Sequence, residues 1–256
     1  MMNVAVECRG DAYQLSAAVL IYTNQAKGHA FATKHEVLTE AGSAVVRPGS
    51  PLTTADYAAL VRALAPKEQP KMIWRDSRVL ASGLGRLLWW APAQKRPMFF
   101  QKSSTGRGTV EGRGVCPSPA LVFMANVEAA ELYVWAIKAD QAPQLETQLY
   151  QAPFFNVWST GQVCCGNAVK PAEDQQGDPG AWERMFFGSN FTHPNFSEKN
   201  RLLKGDPNGF WARQLAKPSA TFPQQVLVPL SLRVGDLLEV DVFNKLRALP
   251  RAQGEF

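Results

Sequence analysis

Between residues 71 and 139 turn-forming residues cut the chain into short apolar runs, and this segmentation constrains the fold more than any other feature. Met72 to Trp74, Arg78 to Ala81, Leu87 to Ala91 and Pro97 to Phe100 read as strands. They are separated by Asp76-Ser77, Gly83-Leu84-Gly85 and Pro92-Ala93. Ala120 to Ala125 and Leu132 to Ala139 follow, and Glu131, Tyr133 and Trp135 alternate with Leu132, Val134 and Ala136. Successive strands this closely spaced make an antiparallel meander, which places the chain in the α+β class rather than among doubly wound sheets.

Helices flank the meander. Thr53 and Thr54 are N-cap residues with Asp56 in the first turn. Tyr57, Leu60, Val61 and Leu64 then share one helical face, and Pro66 ends the helix. Ala181 to Phe187 reads as a second helix. At the start, Leu15 to Tyr22 and Ala30 to Leu38 form a hairpin across the polar turn Thr23-Asn24-Gln25-Ala26-Lys27-Gly28. The tail holds one more strand, Gln225 to Leu230, followed by the apolar stretch Leu237 to Phe243. With no repeat and no linker, the economical organisation is one domain over residues 1–256. It carries an N-terminal hairpin extension and a C-terminal extension from about Lys199.

A chain of 256 residues, 46% hydrophobic and only 19% charged, buries a proper core and is not a disordered polymer. Four cysteines at this length make no disulfide scaffold. No basic n-region precedes the short apolar run Ala17 to Tyr22, and no run approaches the roughly 20 apolar residues of a membrane span. The expected location is the cytoplasm, with cysteines as thiols and no membrane partner. The net charge of +5 permits a nucleic-acid partner without making it the primary one. The densest basic stretch, Lys95, Arg96, Lys102, Arg107 and Arg113 against Glu111, reads as a solvated loop or as a contact surface.

Several chemistries lack their residues. His29, His35 and His193 are far apart and have no ligand spacing to a cysteine pair, so no metal site is expected. No phosphate-binding glycine loop is present, so no nucleotide cofactor is expected, and there is no nucleophile elbow. What remains is the segment Phe154-Phe155-Asn156-Val157-Trp158-Ser159-Thr160-Gly161-Gln162-Val163-Cys164-Cys165-Gly166-Asn167. Adjacent Cα atoms lie ~3.8 Å apart, too close for an ordinary disulfide, so the Cys164-Cys165 pair is two thiols, of which one faces outward.

This segment resembles the active-site segment of ubiquitin-conjugating enzymes. Asn156 stands eight residues before Cys164, as the family's asparagine does before its cysteine, and Val157, Gly161 and Val163 fall on matching positions. Phe154-Phe155 replaces the family's His-Pro, and Cys165 stands where a hydrophobic residue is usual. A literal His193-Pro194-Asn195 follows the cysteines and has none after it, so it is set aside as the motif. A wider resemblance is to the protein B family of the PRTRC plasmid-borne system. It is carried by Leu88-Trp89-Trp90-Ala91-Pro92-Ala93, Arg96-Pro97, Thr147-Gln148-Leu149-Tyr150, Ala152-Pro153-Phe154, Trp182-Glu183 and Phe186-Phe187-Gly188-Ser189-Asn190-Phe191-Thr192-His193.

The resemblance implies a ubiquitin-conjugating-like core whose catalytic-type segment spans residues 150–167. It implies as partners a small ubiquitin-like protein and a ThiF-like adenylating enzyme, with a ParB-like protein encoded nearby. It implies a thioester transferase with Cys164 as acyl acceptor. Asn156 would be an oxyanion donor or loop organiser, Gly161 a tight turn, and Gly166 a residue that leaves the thiol uncrowded. His193 would be a helix brace or a proton carrier, and Phe154 and Phe155 packing anchors. The chemistry is self-consistent: thiolate is the nucleophile, and an activated acyl group needs only the few per cent present at a thiol pKa of ~8.5. The competing reading keeps the fold without the catalysis, as a binding or scaffold module in a plasmid-borne maintenance system. In that case Cys164 is a small core hydrophobe and Asn156 a turn residue. Cys8 and Cys116 carry no expected role.

Overall fold

The computed structural model describes residues 15, 17–24, 29–40, 43–64, 75–83, 85–104, 106–166, 168–195 and 202–248. The chain divides into two compact units, Met1–Ile73 and Trp74–Phe256.

In the first unit β1 (Ala17–Asn24) pairs antiparallel with β2 (His29–Glu40), from Ala17 opposite Glu36 to Asn24 opposite His29. This is the hairpin that the polar turn calls for. Strands β3 (Ser43–Val46) and β4 (Ser50–Pro51) both add to β2. Helix α1 (Thr54–Leu64) starts where the cap residues put it. The Thr53 hydroxyl accepts the Asp56 N–H at 3.2 Å, and the Asp56 carboxylate accepts the Thr53 N–H at 3.1 Å, a reciprocal box that satisfies two orphan donors. Tyr57 and Val61, on the helix's apolar face, are 62% and 49% exposed.

The second unit holds a six-stranded antiparallel sheet. Its strands are β5 (Val79–Gly83), β6 (Arg86–Ala91), β9 (Ala120–Asn126), β10 (Glu131–Ile137), β11 (Gln148–Gln151) and β13 (Pro229–Arg233), in the order β13-β11-β10-β9-β6-β5. A smaller sheet joins β7 (Gln94–Phe100) and β8 (Gly112–Ser118) antiparallel, with β12 (Asn190–Phe191) parallel to β7. Around these lie α2 (Pro179–Gly188), α3 (Pro207–Ala216) and α4 (Val242–Ala248). The α+β, antiparallel expectation is met.

Successive side chains leave a strand on opposite faces, so the alternation at residues 131–136 splits the large sheet into two buried sides. Leu132, Val134 and Ala136 join Trp89, Phe123, Phe154, Phe186 and Trp211 in one cluster. Tyr133, Trp135 and Ile137 join Val122, Leu149, Leu237 and Leu246 in the other. Among the described residues no helix is long and apolar enough to cross a membrane.

The structure departs from the sequence reading in the tail and in the basic stretch. The last strand is Pro229–Arg233 rather than Gln225 to Leu230, because Gln224–Val226 closes a 3-10 turn. Leu237 to Phe243 passes from a second such turn into α4. Strand β8 and helix α3 had no counterpart in the sequence reading. Arg96 is not part of a solvated run: it is partly buried and ion-paired with Glu183. Met72 to Trp74 and Cys8 lie outside the described residues.

Candidate functional site

The segment after β11 is anchored before it turns. Phe154 and Phe155 are fully buried, as packing anchors should be. Phe154 stacks on Trp211 of α3 at 5.6 Å and meets Phe186 of α2 edge-on at 5.4 Å. Each such pair adds about 1 kcal/mol to the burial itself. Trp211 also donates its indole N–H to the Pro153 carbonyl at 2.8 Å.

Asn156 then reverses the chain with φ of +60°, a left-handed conformation that asparagine tolerates better than other side chains. The reversal closes a miniature hairpin. Cys164 donates its N–H to the Asn156 carbonyl at 2.7 Å, Trp158 to Gln162 at 2.8 Å and Gly161 to Trp158 at 2.9 Å. Val157 and Val163 bridge across it, and Val163 donates on to Leu132 of β10 at 2.8 Å. Gly161 has φ of +87°, and a Cβ there would stand 2.4 Å from Trp135 Nε1. The eight-residue spacing is therefore the length of a closed loop with Asn156 and Cys164 facing each other at its mouth.

The side chain of Asn156 is occupied at both ends. Nδ2 donates to the Asn190 carbonyl at 2.7 Å, while Oδ1 accepts the Thr192 N–H at 3.1 Å and its hydroxyl at 2.9 Å. The backbone N–H of Asn156 donates to the His193 carbonyl at 3.0 Å. So Asn156 ties the Cys164 loop to the segment 190–193, which opens with β12, and His193-Pro194-Asn195, set aside in sequence, begins at that contact. His193 Nδ1 lies 2.9 Å from Thr192 Oγ1. Burial and then the Arg107 charge hold its imidazole below the usual value.

The two thiols differ. Both are half-buried and free. Cys165 packs against the main core and donates its S–H to the Val163 carbonyl at 3.7 Å. Burial pushes its thiol pKa up, with Lys170 partly opposing. Gly166 turns with φ of +49° into open space. Cys116 is buried on β8 and directed at the Gln214 carbonyl. Among the described residues no group of His, Cys, Asp and Glu is arranged to hold a metal ion.

Sequence reasoning missed Asn190, Thr192 and Arg107. The first two lie more than thirty positions from Asn156, and only the resemblance across residues 186–193 hinted that this stretch belongs with the loop. Arg107 reaches His193 because Asn208 pins the basic loop. Its amide accepts the Thr109 N–H at 2.9 Å and donates to the Arg107 carbonyl at 3.2 Å.

An antiparallel sheet flanked by a few helices is consistent with an E2-like core. The family model for prokaryotic E2 family D matches residues 56–230, more than half of the chain, and the protein belongs to that family. No curated protein and no solved structure matches it.

Proposed function

We propose that this E2-like protein is a thioester carrier. Cys164 accepts the C-terminal acyl group of a small ubiquitin-like protein, activated by a ThiF-like adenylating enzyme, and passes it to an amine. The observation that carries the reading is the closed loop from Asn156 to Cys164, with Cys164 N–H on the Asn156 carbonyl at 2.7 Å. It holds a half-buried Cys164 at the mouth of the loop, while the adjacent Cys165, half-buried too, directs its S–H inward at the Val163 carbonyl. The resemblance to the PRTRC protein B family supports the same partners and a plasmid-borne setting.

In loading, the Cys164 thiolate attacks the activated carbonyl. The C–S bond forms, the previous carrier leaves with the electron pair, and the thiol proton passes to solvent. In discharge an amine replaces the sulfur. Asn156 serves here as the organiser of the loop, its amide donating to the Asn190 carbonyl and accepting the Thr192 N–H. Gly161 gives the turn, and Gly166 takes the chain on into open space two residues after Cys164.

The test is reconstitution with a ubiquitin-like protein, its adenylating enzyme and ATP. A thiol-labile adduct is expected on the native chain and on Cys165→Ala, and is expected to vanish in Cys164→Ala. An adduct that survives Cys164→Ala overturns the assignment. Absence of any adduct, with a native Cys164 inert to iodoacetamide, favours a non-catalytic binding module.

A further inference from the structure

We propose that His193 is the general base of amine transfer, its Nε2 taking the proton of the amine that attacks the Cys164 acyl group. The inference rests on the reading of Cys164 as carrier and deepens it.

The hydrogen bonds around Asn156 determine which imidazole nitrogen is the base. The Asn190 carbonyl can only accept, so the Asn156 atom 2.7 Å from it is the amide nitrogen. The Thr192 backbone N–H can only donate, so the atom 3.1 Å from it is the amide oxygen. The amide cannot flip without facing donor to donor and acceptor to acceptor. Oδ1 also lies 2.9 Å from the Thr192 hydroxyl, which must give it its one proton. The same hydroxyl lies 2.9 Å from His193 Nδ1 and has only a lone pair left to offer. Nδ1 therefore carries the imidazole proton, and Nε2 carries the lone pair. Among the described residues Nε2 has no hydrogen-bond partner.

Placement follows from the backbone. His193 and Cys164 bond the two polar backbone atoms of one residue: the His193 carbonyl takes the Asn156 N–H, and the Cys164 N–H gives to the Asn156 carbonyl. His193 and Cys164 are thus both bonded directly to Asn156 at the mouth of the loop. The basic loop presses on the other side. A Cβ at Gly108 would come 1.7 Å from the Thr192 carbonyl oxygen, so the backbone of the basic loop runs directly against the 192–193 backbone. Among the described residues Arg107 is the charged group that bears on the imidazole. Its charge and burial both favour the neutral ring, the form that can accept a proton.

The step balances. The amine nitrogen attacks the thioester carbonyl and the C–N bond forms. The amine proton goes to His193 Nε2. The C–S bond breaks with the electron pair on Cys164 Sγ, and the imidazolium returns the proton to the thiolate.

The experiment separates loading from discharge. The chain is loaded, ATP is removed, free lysine is added, and thioester loss is followed from pH 5 to pH 9 per unprotonated amine. The native rate is expected to rise through an inflection below the ordinary histidine value of about 6.5. His193→Gln is expected to slow discharge roughly a hundredfold relative to loading and to erase the inflection. Arg107→Ala is expected to move the inflection upward. A His193→Gln chain that discharges at the native rate, or keeps the inflection, overturns the proposal. So does an Arg107→Ala profile that does not shift. A native chain that never loads sinks the carrier reading itself, a different result.

Discussion

Gly161 and Gly166 look alike in sequence and stand in opposite surroundings. Both have positive φ, but a Cβ at Gly161 would meet the fully buried Trp135 ring at 2.4 Å, whereas one at Gly166 meets nothing within 4 Å. Left-handed strain costs about 1 to 2 kcal/mol at either site. Overpacking adds about 1 to 3 kcal/mol at Gly161 alone. Urea unfolding is therefore expected to show Gly161→Ala roughly twice as damaging as Gly166→Ala. Equal losses would mean that Trp135 moves aside. The sequence placed Gly161 correctly in the turn because a glycine midway between Asn156 and Cys164 is a local signal. It could not place Trp135 beneath it, since that neighbour comes from β10. Phe154 and Phe155 were legible as anchors for the opposite reason: two adjacent aromatics in a loop must bury their surface somewhere. Truncating Phe154, fully buried among Phe186, Phe191 and Trp211, is expected to cost about 3 to 5 kcal/mol.

At the scale of elements, one carboxylate joins α2 to β6, to β7 and to the residue just before β5. Glu183 of α2 accepts Arg78 Nη1 at 2.5 Å and the Trp89 indole N–H at 3.2 Å, and it lies 3.0 Å from Arg96 Nη2. The Arg96 guanidinium also covers the Phe187 ring at 4.3 Å. Glu183→Gln keeps the shape but leaves two partly buried guanidinium groups without the anion between them, at an expected cost of about 3 to 5 kcal/mol. The measurement is the denaturation midpoint, which should fall far less for Arg184→Ala on the exposed side of the same helix. Arg96 was grouped with the basic loop because charge runs are read along the chain. Its partner is 87 positions away, where no local pattern can show it. Strand β8 was lost because Gly112, Gly114 and Pro117 disguise it; Leu215 of α3, 3.2 Å from where a Gly114 Cβ would stand, shows that those glycines admit a close approach. The start of α1 was legible because caps are local. There the Thr53 hydroxyl, then Lys34, holds the Asp56 carboxyl down at about 2. A depressed carboxylate stabilises the folded state above its unfolded value near 3.9 and loses that contribution as pH falls through its folded value. An Asp56 NMR titration midpoint near 4 would show that the box does not persist in solution.

Across the whole molecule, the two hydrophobic clusters are drawn only from residues after position 78, whereas Val37 is the one buried apolar residue among the described part of the first unit. Trp89, Trp135, Trp182 and Trp211, all fully buried, lie in the second unit, as do the Cys164 loop, the segment 190–193 and the basic loop that holds Arg107. Hydrophobic burial scales with the apolar area withdrawn from water, so cooperativity should reside where those clusters are. A chain beginning at Arg75 is therefore expected to keep the near-ultraviolet circular dichroism of packed tryptophans and a single sharp thermal transition. A broad transition, or loss of the tryptophan signal, would show that residues before Arg75 complete the core. Residues 56–64 give that experiment its edge, because the family match begins inside α1 while the buried clusters begin after it. If the shortened chain folds and still loads Cys164, the family's N-terminal helix is dispensable for thioester formation. If it folds and fails to load, the proposed carrier activity also depends on the residues before Arg75.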